Sequence, residues 1–557
     1  VRILNLGRKL VALFAIFMVV LFVILPSLYI FSFVVLRWHE LYMEVFAHPL
    51  IGNEYWLQIQ RYLTLSLRLA ITVTLIDILI GIPLAYFIAK GSFPFKGLIE
   101  DLTALPLVVP TSGFGFATLM AWTASTSLPY ILGIRLHLDD VIPVFRLPLI
   151  LLLVHVSLTF PYIVRTVSAA LSSLERSYEV VSAALGAKPL TTFRKVTLPL
   201  VTPSILSGAV LAFARSLGET GATMIVAGVS TTASIAIVKW EFEGKLAPAA
   251  FLGALLVILA FAIILPVEYM AGKAGKGGKV SIPKTLDERT IDVERRIPRK
   301  LSNIVSALSL TFLALIVILP IATLFYMVAI HWRADPFTGR VEGGVLYQLF
   351  GPPGYSTRIV QALTVSFSAS MLTTLISLYI AIIIIITLLK SRWAKLLRML
   401  LRIPLVIPSS ALGLSMMLLW GREGFNLIKP GLWLIVLTHI VFSVPVIVET
   451  GLAAYIESNA QVYEDVGRSL GASPYTVTET ISIPLMKRGL LAGSLLAFAH
   501  SLGETGATFM VMGDNTTISV LVVNMVEALA IPASLTASAI VVAISFILLV
   551  AARRLSG

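Results

Sequence analysis

The chain has 557 residues, 58% of them hydrophobic and only 13% charged, with a formal net charge of +13 and a mean hydropathy of +0.95. A soluble domain is nearer half apolar and a quarter charged, so a single core in water is excluded and lipid is the expected solvent. The absence of cysteine removes disulfides, thiolate metal sites and thiol nucleophiles.

The N-terminus carries Arg2, Arg8 and Lys9, then runs apolar from Leu10 to Leu36. That run is about twice the ~7–15 residues of a signal-peptide core and ends at Arg37-Trp38, so it reads as a retained anchor that starts inside. Further stretches able to cross about 20 residues of hydrocarbon lie near 63–89, 98–122, 147–168, 203–228 and 248–270. A second series lies near 301–330, 359–389, 397–420, 431–452, 487–512 and 531–552. The expected fold is therefore an all-α polytopic membrane protein of about twelve transmembrane helices, in two tandem six-helix units over 1–270 and 301–557.

Residues 271–300 join the units and hold nine basic and four acidic residues, too polar for lipid and basic enough for the cytoplasmic side. Lys90 and Lys96, and Lys390, Arg392, Lys395, Arg398 and Arg402, fall in connections expected inside. Arg37, Glu40, Glu44 and Glu54 fall outside. Both termini are expected in the cytoplasm, in a plasma membrane. The glycines and lysines of the linker never form the G-x-x-x-x-G-K-[ST] order of a phosphate loop.

The two halves repeat each other. LAFARSLGETGAT at 211–223 recurs as LAFAHSLGETGAT at 496–508, VTLPL at 196–200 as ISIPL at 481–485, and LGA at 185–187 as LGA at 470–472. Earlier, LPLVVP at 105–110 answers IPLVIP at 403–408, and LTLS at 63–66 answers LTVS at 363–366. Equal order and equal starting side make these parallel repeats about an axis along the membrane normal, an arrangement that places a pathway between them.

A polar stretch between the fourth and fifth spans occurs in each half, near 171–203 and 456–487. In the first, Leu174, Tyr178, Val181 and Leu185 recur at helical spacing, and Ser172 with Glu175 fits a capping box. Gly186 can stop the helix in the left-handed conformation, and a second short helix is expected to end at Pro199. In the second, Tyr463, Val466 and Leu470 form the stripe, and Gly471, Pro474 and Pro484 follow.

Glu179, Gly186, Ala187, Leu198 and Pro199, matched by Glu464, Gly471, Ala472, Ile483 and Pro484, resemble the EAA loop of binding-protein-dependent ABC importer permeases. Val181-Ser182 and Val466-Gly467 stand where that family usually has two alanines, a departure that leaves the helix intact. The resemblance implies that each elbow docks on one copy of a cytoplasmic ABC ATPase, two in all. It also implies that solute arrives on an external binding protein, and that this chain is itself a non-catalytic subunit. No cofactor, metal or nucleic-acid partner is expected.

In the fifth spans, Arg215 and Glu219, and His500 and Glu504, are four apart. Charge at mid-bilayer costs about 2.5–3.5 kcal/mol on insertion scales, so these groups should face the interior or water. Because the Arg-to-Glu order is the weaker one for a helical pair, partners on other helices are expected. Ser216, Thr220 and Thr223, with Ser501, Thr505 and Thr508, are expected to share a helix face as a gate or pathway wall. This segment resembles that of molybdate, tungstate and sulfate permeases, which implies a tetrahedral oxyanion as solute. The fused two-unit plan is also common among ferric-iron and thiamine permeases. An ion-gradient carrier is a third reading, against which the paired elbows count, and a membrane enzyme lacks any nucleophile–base or ligand cluster.

Overall fold

In a computed structural model of the chain, residues 13–14, 16–91, 93–274, 301–388 and 394–556 are described. The linker residues 275–300, the basic start Arg2, Arg8 and Lys9, and Lys390 and Arg392 lie outside the described residues. The regular structure among the described residues is helical, apart from a two-residue β-pair, Val141–Ile142 with Leu147–Pro148.

The first half comprises α1 (Ile16–Leu36), α2 (Glu54–Lys90), α3 (Lys96–Leu107), α4 (Thr111–Thr123), α5 (Leu149–Ser173), α6 (Arg176–Ala184), α7 (Pro189–Gly218), α8 (Gly221–Val226), α9 (Ala233–Phe242) and α10 (Leu246–Ala274). The second repeats it as α11 (Ile304–Ile330), α12 (Tyr355–Leu388), α13 (Leu396–Val406), α14 (Ser409–Trp420), α15 (Leu432–Glu457), α16 (Ala460–Ser469), α17 (Pro474–Gly503), α18 (Gly506–Val511), α19 (Ile518–Glu527) and α20 (Ile531–Ser556). Ten of these helices are long and apolar enough to cross a membrane singly.

The third span of each half departs from the expected straight helix. α3 and α4 meet at 107°, and α13 and α14 at 105°. The bend falls at Pro110 and Pro408, which take extended ψ angles of 130° and 133°. Proline supplies no N–H to carry the helix across and pushes the preceding residue out of the helical region. The fifth spans also stop short of the expected 228 and 512, at Gly218 and Gly503.

Proline is handled differently in α7, where the helix was expected to end at Pro199. Instead it runs on, because the turn before it widens to a π-turn over Phe193–Thr197. The same device precedes Pro484 (Thr478–Ser482), Pro26 (Val20–Ile24) and Pro320 (Ala314–Ile318). A wide turn makes room for the pyrrolidine ring that an α-turn would force against a carbonyl.

The halves exchange their first helices. α1 packs on α14 and α15 of the second half, and α11 on α2 and α4 of the first. Ser415 of α14 donates to Pro26 O and accepts from Ile30 N at 3.1 Å, inserting its hydroxyl into the ladder of α1. α2, α5 and α7 form the centre of the first half, and α12, α15 and α17 that of the second.

Candidate functional site

The repeated S-L-G-E-T segment is a break, not a continuous helix. Glu219 and Glu504 follow the last helical residue with ψ 129°, so the carbonyls of the last turn lose their partners. Side chains replace them. Leu217 O accepts from Ser234 Oγ (3.1 Å), Gly218 O from Thr220 Oγ1 (3.3 Å) and Glu219 O from Thr223 Oγ1 (3.0 Å). In the copy, Ser519, Thr505 and Thr508 serve Leu502, Gly503 and Glu504 at 3.0, 3.4 and 2.9 Å. The Glu219 and Glu504 carboxylates accept from Ala222 N (3.0 Å) and Ala507 N (3.1 Å), starting α8 and α18.

Two histidines bridge the break from the neighbouring helix. His155 of α5 bonds Ser216 Oγ at 2.9 Å and Thr223 Oγ1 at 3.0 Å; His439 of α15 bonds Ser501 Oγ at 2.7 Å and Thr508 Oγ1 at 3.0 Å. All six side chains are buried. Ser216, Thr220 and Thr223 therefore do not share a helix face, and neither do Ser501, Thr505 and Thr508, because the chain leaves the helix between them. Their hydroxyls are turned to imidazoles and carbonyls.

The two breaks meet each other. A Cβ on Gly218 would lie 2.9 Å from Pro408 Cα, and one on Gly503 3.0 Å from Pro110 Cα. One on Gly221 would lie 2.6 Å from Thr505 Cβ, and one on Gly506 2.6 Å from Thr220 Oγ1. Backbone approach this close admits only glycine. Residues 218–221 and 503–506 thus form a closed seam on the pseudo-two-fold axis, with the bends at Pro110 and Pro408 wedged against it.

Beneath the seam lies a cavity of about 320 Å³ between the halves, which receives Arg215 and Arg165 from the first and His500 from the second. A chamber of about 420 Å³ shares Arg165 and Leu496 with it and continues to Glu100, Asp101 and Ser172 at the end of the bundle where the elbows lie. Arg215 meets Glu219 at 2.8 Å, and His500 meets Glu504 at 3.4 Å. Partners on other helices were expected for these charges. The pairs form locally because the helix opens after Gly218 and Gly503, releasing each carboxylate from fixed helical spacing.

The elbows form at that end, away from the seam. α6 and α16 both stop at a glycine in the left-handed region, Gly186 with φ +84° and Gly471 with φ +88°. Ala187 N bonds Ser182 O at 3.1 Å and Ala472 N bonds Gly467 O at 3.0 Å, the six-to-one bond of a Schellman stop. Ser172 lies inside α5, which runs on to Ser173, so no capping box forms. Glu175 starts α6 without a side-chain cap. Tyr178, Val181 and Leu185 are exposed, as are Tyr463, Val466 and Leu470; Leu185 and Leu470 each show 83% of their surface.

Glu179 and Glu464 act as struts to the helix that follows. Glu179 reaches Lys90 at the end of α2 (3.2 Å) and accepts from Thr197 in the π-turn at 3.5 Å. Glu464 accepts from Ser482 in the matching π-turn and pairs with Arg468 at 2.7 Å. At the site of the double-alanine departure, Ser182 bonds Thr192 at 3.0 Å, while Gly467 lets Ile481 approach to 2.9 Å of where its Cβ would stand. Leu198 and Pro199 are half-buried just beyond the first π-turn; Ile483 is half-buried and Pro484 exposed beyond the second.

Sequence reasoning missed His155 and His439, although each stands six residues before a proline, Pro161 and Pro445, in matching spans. That doublet was the available signal. It also missed Arg165 and the buried Asp77, which accepts from Thr159. Ser377 and Ser443 stand at the matching positions in the second half, so no doublet marks that pair.

The sequence profile described as "Binding-protein-dependent transport system inner membrane component" matches residues 77–271. The chain is 35% identical over 212 residues to the molybdenum transport system permease protein of Mycobacterium tuberculosis, covering 37% of this chain and 78% of that protein. It is 30% identical over 210 residues to the molybdate/tungstate transport system permease protein of Pyrococcus furiosus, covering 37% and 76%. It is 36% identical over 158 residues to the probable sulfate transport system permease protein of Marchantia polymorpha, covering 28% and 53%.

Proposed function

Since the chain belongs to the family of binding-protein-dependent transport-system inner membrane components, we propose that it is the whole membrane pathway of an ABC importer, both permease units in one polypeptide. The solute passes between the halves through the seam of residues 218–221 and 503–506. Two copies of a cytoplasmic ATPase dock on the elbows, one each, and an external binding protein delivers the solute. The linker and both termini are cytoplasmic, in a plasma membrane. The solute is a tetrahedral oxyanion of the molybdate, tungstate or sulfate kind, as named for the relatives.

The observation that carries this reading is the pair of elbows with an uncovered apolar stripe, each joined rigidly to the helix that ends at the seam. An apolar row left in water at both copies of a repeat is the signature of a partner surface. From Pro189 to Gly218 the helix is continuous for 30 residues, about 45 Å at 1.5 Å per residue. A rotation of the elbow is therefore delivered at Gly218 and Gly503, where the halves touch. The seam is closed and the cavity below it runs toward the elbows, the arrangement of an inward-facing state.

Basic groups in that cavity favour an anion over ferric iron. The test is uptake of tungstate and of sulfate into vesicles holding this chain with its ATPase and binding protein. Uptake that requires ATP hydrolysis is expected. Uptake by the chain alone under a proton or sodium gradient would overturn the proposal.

A further inference from the structure

Neither the seam nor the elbows use Arg165. It stands on α5 in a span, exposed to the space between the halves, and has no ion-pair partner among the described residues. It lines both the cavity with Arg215 and His500 and the chamber beyond. A cation at such a depth is costly and marks a pathway or a ligand. Arg215 has Glu219 beside it, so Arg165 supplies the cationic group that is not held in an ion pair.

The opposite wall is different. The residue matching Arg165 in the second half is Glu449, which is turned to Arg402 at 3.2 Å. The residue matching Tyr162 is Val446, and both line the cavity. One wall thus offers two guanidinium groups and a phenol, while the other offers an imidazole and apolar surface.

We propose that this cavity is a binding subsite for a tetrahedral dianion, held off the pseudo-two-fold axis by Arg165, Arg215 and the Tyr162 hydroxyl, with His500 opposite. Guanidinium forks match pairs of oxygens on such an anion. A cavity of about 320 Å³ leaves room for waters of about 30 Å³ each around it. Glu100 and Asp101 line the next chamber, so the favourable region ends at Arg165 and the anion is held near the seam. A pathway site must bind well enough to admit the solute and weakly enough to release it, which one arginine outside any ion pair achieves. The identity of the solute rests on the importer reading; the binding does not.

The test is equilibrium dialysis of the full chain in detergent against tungstate and against sulfate, with chloride at constant ionic strength and no ATPase or binding protein. One saturable site per chain is expected. Arg165→Gln should weaken it about tenfold, the effect of one charge-assisted contact, and Arg165→Lys should weaken it less. Arg68→Gln, an exposed cation on the far part of α2, should leave it unchanged. Equal affinity in Arg165→Gln, two equivalent sites, or no preference over chloride would overturn the subsite. A thermal unfolding scan of each variant separates lost binding from lost fold, and Arg165→Lys remains as the second variant. Anion binding with no ATP-driven uptake would sink the importer reading and leave the subsite standing; uptake without binding would do the reverse.

Discussion

Replacing Gly186 and Gly471 by valine tests whether the elbows transmit force. A Cβ at either position meets nothing within 4 Å, so crowding contributes nothing and the whole effect lies in the backbone. Holding a β-branched residue at φ +84° or +88° costs about 1–2 kcal/mol or more. The alternative is to unwind the stop and lose the Ala187–Ser182 and Ala472–Gly467 bonds, each about 1 kcal/mol. Both routes give about 1–3 kcal/mol per elbow, or roughly 5–150-fold in any equilibrium that needs the bent shape. Since α6 buries no side chain and α16 only Ala460 and Glu464, both at least seven residues before Gly471, the bundle itself should be spared. In vesicles with ATPase and binding protein, the double valine variant should keep its thermal midpoint but lose ATP-driven tungstate uptake at least tenfold. Asparagine tolerates the left-handed region, as Asn459 and Asn426 already do here, and should restore most of the uptake. Unchanged uptake with valine, or asparagine no better than valine, would refute the reasoning.

The struts should not be equivalent. Glu464 is buried and Glu179 partly exposed, so Glu464→Ala should lower uptake and elbow protection in hydrogen exchange more than Glu179→Ala. His155→Ala and His439→Ala each strip a partner from two buried hydroxyls, one of which keeps a carbonyl; a loss of about 1–3 kcal/mol is expected, read as a lower unfolding midpoint in detergent. Gly221→Ala and Gly506→Ala force a methyl into the opposite half and should loosen the seam. As the chain has no cysteine, a single Thr111→Cys in the cavity wall would report this as faster labelling by a membrane-impermeant thiol reagent added outside.

How much was legible depended on the range of the interaction. The elbows could be read because everything that shapes them is local: a glycine, a proline and an apolar stripe within a dozen residues, written twice. The long spans were equally plain in hydropathy. Hydropathy was blind to the bends after Val109 and Ile407, since a broken pair of helices is as apolar as a straight one. It was also blind to the stop at Gly218, because Ser-Leu-Gly-Glu-Thr has helical spacing on paper. The donor for the freed Leu217 carbonyl is Ser234, 17 residues on, and the Ser216 and Thr223 hydroxyls are turned by His155, 61 and 68 residues back. Pro199 misled in the other direction: a π-turn absorbs it, and no single-residue rule anticipates a change in the turn before.

One chain carrying both units is free to let them differ, and the cavity walls do so at Arg165 and Glu449, Tyr162 and Val446, and Arg215 and His500. The backbone duties at the break are conserved between halves: each carboxylate starts a short helix, and each histidine bridges a serine and a threonine. The partners are not. Glu219 faces Arg215 at 2.8 Å, while Glu504 faces His500 at 3.4 Å, whose side chain is 40% exposed. Glutamine at either site keeps an oxygen for Ala222 N or Ala507 N and removes only the charge. Glu219→Gln should therefore leave the seam closed but take from Arg215 its direct partner at 2.8 Å, tightening anion binding while impairing release. Glu504→Gln should change less, because His500 meets that carboxylate only at 3.4 Å and is itself 40% exposed to water. Dialysis against sulfate and vesicle uptake, run on both variants, separate the two. Equal behaviour of the pair would mean that the asymmetry of the walls has no part in how the anion is held.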